Sequence, residues 1–201
     1  MKEEKKVKRW RTVKSKTPIV GIDDGGFDRF SKEDIDIPVF GVIMKGAAYV
    51  DGVIHCQLKR DDPLATIIIG QLILESPHRN QLKAILLQGI TIAGFGVLDI
   101  VRLHEITGIP VIVILRKYPD FPKIQLALET VFPEDTIRWN SIKLAGEPLK
   151  VQDDPPLFLQ MEGIHPKDAY LLIKKCTAIG TIPEALRIAH FIGASLYHSV
   201  N

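Results

Sequence analysis

The sequence predicts an α/β domain, a mixed β-sheet with helices on both faces. Two patterns and the composition point to it. Between residues 18 and 58, three apolar runs rich in β-branched residues follow one another through short turn-like connections, as consecutive antiparallel strands do. From residue 82 onward, short apolar runs alternate with helical patterns, which calls for right-handed parallel crossovers. A chain of 201 residues, 46% hydrophobic and 25% charged, has the composition of a soluble globular protein with one sizeable core. Residues 18–201 are expected to form one domain, preceded by a basic arm at residues 1–17.

The first strand is Pro18-Ile-Val-Gly-Ile-Asp23, whose β-branched residues run without polar interruption to an Asp23-Asp24-Gly25-Gly26 terminus. After a polar loop, residues 38–44 form the second strand. Asp51-Gly52 reads as the tight turn of a hairpin between residues 47–50 and 53–58. Helix one follows near residues 64–76, with Asp62 placed to cap it and Pro63 at its first position. Residues 82–88 read as a buried strand, and Ile90 to Gly94 as a loop. Val97, Ile100, Val101 and His104 repeat at helical spacing until Gly108. Residues 110–115 are another buried strand, and Pro122 opens a helix through Val131. Arg138 to Leu144 and Leu157 to Met161 look like short strands, with Asp153 to Pro156 as a loop. Two helices close the chain, one at residues 168–177 and one that begins near Pro183 and runs through His190.

Charge is unevenly distributed. Residues 1–17 hold eight Lys or Arg against Glu3 and Glu4, a net +6 that leaves −4 of the chain's +2 to the remainder. A basic arm on a mildly acidic body suits phosphate binding, with Lys8, Arg9 and Arg11 around Trp10, an aromatic that can stack on a base or pin the arm to the core. The alternative is a solvated terminus. No apolar run is long enough to span a bilayer, and the charged N-terminus is unlike a secretory signal. Cys56 and Cys176 are far apart and without metal-ligand spacing, so reduced structural thiols in a cytoplasmic protein are expected. No Walker loop, dinucleotide fingerprint or Ser-His-Asp order is present, so no organic cofactor is expected.

Chemistry is best placed at Asp23 and Asp24. Carboxylates where a strand leaves a core are costly unless a cation, a hydrogen-bonding loop or water compensates them. Mg²⁺ takes oxygen ligands and few protein carboxylates, which suits the site. The competing reading is an exposed Asp-Asp-Gly-Gly turn. Asp61 and Asp62 end the hairpin's second strand, an end that a mixed sheet can bring beside Asp23.

The element order is that of a ribonuclease H-like fold. Gly21-Ile-Asp-Asp-Gly25, the stretch Leu87 to Asp99, and Ile182-Pro-Glu-Ala-Leu-Arg-Ile-Ala-His190 resemble the archaeal endonuclease dU family, formerly a domain of unknown function and related to Endonuclease V. The resemblance covers nearly all of residues 18–201. The Pro-Glu-x-x-Arg-x-Ala pattern and the first-strand Asp are shared with Endonuclease V. In one place the sequence departs from it: Endonuclease V ends the strand before its second crossover helix with Asp-Gly, where this chain has Gln88-Gly89.

The resemblance implies Mg²⁺- or Mn²⁺-dependent cleavage of a phosphodiester near a deaminated base, uracil favoured, in DNA or alternatively RNA. Asp23, Asp61 and Asp62 are then the expected catalytic residues, with Asp23, Asp24 and Asp61 as metal ligands. Gln88, Gly89, Thr91, Phe95, Arg187 and His190 are expected to contact substrate, the stretch Ile90 to Phe95 forming a wall for an extruded base. Structural readings stand beside these: Asp62 as a cap, Asp99 as a helix residue paired with Arg102, Arg187 paired with Glu184, His190 as a packed residue. The other functional class is a nucleic-acid-binding protein that has lost catalysis on the same fold, which Gln88 favours.

Overall fold

A computed structural model describes residues 9–27 and 35–198. Seven strands form one sheet in the order β3-β2-β1-β4-β7-β9-β8. These are β1 (Pro18–Asp24), β2 (Asp36–Lys45), β3 (Tyr49–Lys59), β4 (Ala84–Gln88), β7 (Val111–Leu115), β8 (Leu149–Gln152) and β9 (Leu157–Glu162). The central trio β1, β4 and β7 is parallel, and β2, β3, β9 and β8 join antiparallel on either side. A two-stranded hairpin, β5 (Thr91–Ile92) and β6 (Gly96–Val97), follows β4. The mixed sheet expected from the sequence is thus present.

Both faces are covered because the central strands are apolar on both sides. Residues of even number in β1 (Val20, Ile22) join a core with Ile85 and Leu87 of β4 and helices α1 (Ala65–Glu75) and α2 (Ile100–Thr107). Ile19 joins the opposite core, with Ala84, Leu86 and helices α5 (Pro166–Cys176) and α6 (Glu184–His198). A smaller cluster, Val97 with Leu128 and Ile142, seats helices α3 (Phe121–Val131) and α4 (Thr136–Leu144) against the β5–β6 hairpin.

The seat of α6 on β1 is set by two glycines. A Cβ on Gly21 would lie 2.6 Å from the backbone of Ala185 and Leu186, and one on Gly193 would lie 2.5 Å from the carbonyl oxygen of Asp24. Any side chain at either position would push the helix off the strand. With α6 on β1, residues 185, 190 and 193 pass in turn over positions 21, 23 and 24.

Four local expectations are corrected. Asp51-Gly52 is no hairpin turn: β3 continues through it with a register shift against β2 that leaves Asp51 unpaired in the ladder, and the reversal occurs at residues 46–48, where Gly46 has φ of 64°. Asp51 is held by Lys45 (2.9 Å) and Gln81 (3.1 Å), so tertiary contacts override its turn preference. Residues 138–144 are helical, because Asp135 accepts from the N–H groups of Ile137 and Arg138 and caps α4. Val97 belongs to β6, and α2 begins only at Ile100, capped by Asp99 through the Arg102 N–H. Asp62 does not cap α1 from its N-cap position. It spans the preceding turn, accepting from Leu64 N (2.8 Å) and Lys59 N (3.2 Å).

Candidate metal and nucleic-acid site

Strand alternation decides what surrounds Asp23. Its Cα partner in β2 is Phe40, whose partner in β3 is His55. In β4 the register pairs Ile22 with Leu87, so Gln88 stands level with Asp23 one residue on. Gln88 in turn pairs with Ile114. One row across the α6 face therefore reads His55, Phe40, Asp23, Gln88, Ile114. Asp23 and Gln88 are its central polar pair, at the C-terminal ends of adjacent parallel strands. That is where open α/β sheets present ligand sites.

From above, α6 adds His190, whose Nδ1 lies 3.2 Å from Asp23 Oδ2, while Asp23 Oδ1 accepts from the Asp24 N–H (3.1 Å). The Asp23 side chain is only 17% exposed, against 63% for His190. Burial first, and the charge of Asp24 second, push the Asp23 carboxyl up to about 6; His190 and the Asp24 N–H pull the other way without balancing them. Burial, more than any neighbouring charge, thus disfavours the ionised form of Asp23.

On the opposite face Asp24 accepts from the backbone N–H of Ala93. Asp61 grips the same loop from the end of β3. Its N–H donates to Ala93 O (2.8 Å) and its Oδ1 accepts from Phe95 N (2.6 Å). The buried guanidinium of Arg138 closes the arrangement, donating to Phe95 O (2.9 Å) and to the Asp61 carbonyl while lying over the Phe132 ring. Two non-glycine residues here, Asp61 (φ 56°) and Ala93 (φ 50°), are left-handed. Such conformations cost about 1 kcal/mol or more each and persist where surrounding bonds hold them.

A model of the family Endonuclease dU matches residues 15–197. The chain belongs to the Endonuclease dU family. A UPF0215 protein of Methanothermobacter thermautotrophicus is 41% identical over 93% of this chain and 91% of its own. One from Pyrococcus furiosus is 37% identical over 92% and 95%. Among solved structures, a protein of unknown function from Archaeoglobus fulgidus superposes with a TM-score of 0.79 at 30% identity, covering 89% of this chain and 97% of that one. Endonuclease V of Ciona intestinalis, solved with a 24mer DNA containing an inosine followed by a ribo-adenosine, reaches a TM-score of 0.60 at 13% identity over 92% and 87%. At that identity the likeness is one of fold, and it makes the seven-stranded sheet Endonuclease V-like.

Within this Endonuclease dU frame the expected site residues separate into groups. Asp23, Gln88 and His190 come together on the α6 face, with Gly89 following Gln88 out of β4. Asp24, Asp61, Phe95 and the exposed Thr91 belong to the loop behind them, and Asp62 is spent on its own turn. Among the described residues no three His, Cys, Asp or Glu side chains gather as a ready-made metal cluster, so Asp61 and Asp62 do not form one with Asp23. Arg187 bonds Glu184 Oε2 through Nε (2.9 Å), and Glu184 Oε1 is buried with no hydrogen-bond partner among the described residues.

The arm is elsewhere. Arg9 forms a two-pronged pair with buried Asp168 (2.8 and 2.9 Å), the Trp10 N–H donates to the same carboxylate (2.9 Å), and the Trp10 ring packs on the α5–α6 core. Arg11 is exposed nearby, and Lys8 lies outside the described residues. The Arg9 guanidinium holds the Asp168 carboxyl below the usual carboxylate range. Sequence reasoning missed Arg138, because its segment was expected to be a strand. It also missed the Asp23–His190 pair, whose signal would have been the helix start at Pro183 combined with a close strand–helix contact at Gly21.

A divalent ion fits the donors present. Asp23 is a half-buried carboxylate whose ionised form burial disfavours, and Gln88, level with it in the register, adds a neutral amide. Mg²⁺ is commonly bound by one or two carboxylates, waters and substrate phosphate rather than by an all-protein cage. Among the described residues no helix is long and apolar enough to cross a membrane.

Proposed function

We propose that this protein is a cytoplasmic, Mg²⁺- or Mn²⁺-dependent endonuclease that cleaves a DNA phosphodiester near a deaminated base, uracil foremost. The observation that carries the reading is the half-buried Asp23 carboxylate, 3.2 Å from His190 Nδ1 and level with Gln88 at the ends of two parallel strands. Asp23 would hold the ion on one side, with His190 beside it and the scissile phosphate completing the ligand set. When bound, the ion supplies a water of lowered pKa and neutralises charge on the phosphoryl oxygens. Asp23 orients the imidazole through Nδ1, which leaves Nε2 as the ring nitrogen able to exchange a proton. Gln88 positions backbone or base through its amide without adding charge. The clamped stretch Ile90 to Phe95 forms a rigid wall for an extruded base and excludes water from it.

Gln88 also favours a second reading, a nucleic-acid-binding protein without catalysis, since a neutral residue stands there in place of an acid. Incubating the protein with strands carrying uracil, hypoxanthine or unmodified bases, with Mg²⁺, Mn²⁺ or chelator, separates the two. Metal-dependent nicking confined to a deaminated strand is expected. Binding without nicking under every metal would replace the enzyme by the binder.

A further inference from the structure

At the opposite end of β1 from Asp23, residues 9–18 and Lys83 enclose an open groove of about 750 Å³. Its wall includes Arg9, Arg11, Lys14, Lys16 and Lys83, and it holds no Asp or Glu. Arg9 is committed to Asp168, and Lys16 lies 5.1 Å from the centre of the Tyr49 ring. Arg11, Lys14 and Lys83 have no carboxylate partner among the described residues. Three features make the groove a built surface rather than a loose tail. Val13 is buried in the core, Lys175 donates to the Val13 carbonyl, and the Lys83 N–H bonds the Pro18 carbonyl (2.9 Å). Like charges gathered on a fixed frame repel one another unless an anion lies between them.

We infer that this groove is a second nucleic-acid contact, holding the phosphodiester backbone of a segment that flanks the cleavage point. The inference rests on the proposed nuclease reading for its ligand and goes beyond it in location. Pro18 lines the groove, and Asp23 lies five residues further along the same strand, about 16 Å away at the usual strand rise. That distance corresponds to about five base-pair steps of duplex at 3.4 Å each. One duplex can therefore reach both places. Lysine and arginine contacts to phosphate carry little base information, so the groove adds affinity and leaves lesion choice to the Asp23 edge.

The test is binding of a labelled 30-base-pair DNA duplex to the full chain, without metal, across a salt series. The groove variant is Lys14→Glu with Lys83→Glu; the control is Lys143→Glu with Lys117→Glu, the same charge change at two exposed lysines that do not line the groove. Thermal melting confirms that each variant is folded, and Lys14→Gln with Lys83→Gln replaces the groove variant if it is not. The groove variant is expected to bind at least tenfold more weakly and to lower the slope of log affinity against log salt by about 2, one unit per lost phosphate contact. The control is expected to lose less than threefold. Equal losses in both, or a groove variant with the parent's affinity and slope, overturn the inference. A parent that binds no nucleic acid removes the functional reading itself, and this inference with it.

Discussion

His190 Nδ1 stands 3.2 Å from Asp23 Oδ2 across the contact of α6 with β1, and that contact exists because position 21 is glycine. The strand supplies a carboxylate at its exit from the core, and the helix supplies a nitrogen over it. The Asp23 side chain is only 17% exposed and Asp24 adjoins it, and the proposed function places the cation at this carboxylate.

The first prediction concerns stability against pH. The Asp23 carboxyl has a higher value in the folded chain, about 6, than the 3.8 expected when unfolded. Between those values the folded state binds the extra proton, so this group favours folding fully below pH 4. That contribution is lost as pH rises through 6. In chelator, Asp23→Asn should therefore stabilise the protein at pH 7.5, by about 1–3 kcal/mol, and should show little difference at pH 4. Denaturant melts at both pH values check it. A variant less stable than the parent at pH 7.5 would mean that the carboxylate is well compensated.

His190 draws the Asp23 value down, so His190→Ala should raise it further. At pH 7 the variant should need about tenfold more Mg²⁺ for half-maximal nicking, the size of effect expected when a metal ligand loses its partner. The Mg²⁺ dependence of single-turnover nicking, with an NMR titration of the Asp23 carboxyl, reads both. An unchanged titration would make His190 a bystander.

Arg138 organises the loop behind the site through Phe95 O and Asp61 O, and both are left without that donor in Arg138→Ala. The expected cost is about 2–4 kcal/mol, from lost charge-assisted bonds and a vacated buried position. Hydrogen exchange at the Ala93 and Phe95 amides should accelerate more than exchange in β4. Uniform acceleration across the sheet would show that Arg138 supports the whole fold and not this loop.

Much of the sheet was legible because its signal is local. Apolar runs at residues 18–23, 82–88 and 110–115 read as buried strands, and the helical pattern between the last two calls for a parallel crossover. The failures came where distant residues decide. Asp51-Gly52 has turn chemistry, yet Lys45 and Gln81 hold it within a strand. Residues 138–144 lack a clear helical stripe, and the Asp135 cap with Arg138 bonds to the 61 and 95 loops decides for helix. In the site, Asp23 was marked by its sequence position. The division of labour between Asp23 and Asp61 was not, because it depends on which sheet face each carboxylate meets. Sequence gives Asp61 a strand-end carboxylate; the fold turns it to a backbone N–H.

In the proposed function, the Asp23 carboxylate is the protein's hold on the catalytic ion. Asp23→Asn keeps the shape and removes the charge. In a single-turnover assay with a uracil-containing strand, saturating protein and Mg²⁺ or Mn²⁺, the variant should lose nicking by about 10³-fold or more, a barrier increase of roughly 4 kcal/mol. Its metal-free affinity for the same strand should hold or rise, since a negative charge facing phosphate is gone. A variant that nicks at the parent's rate would show that Asp23 is a turn residue and that the ion is held elsewhere.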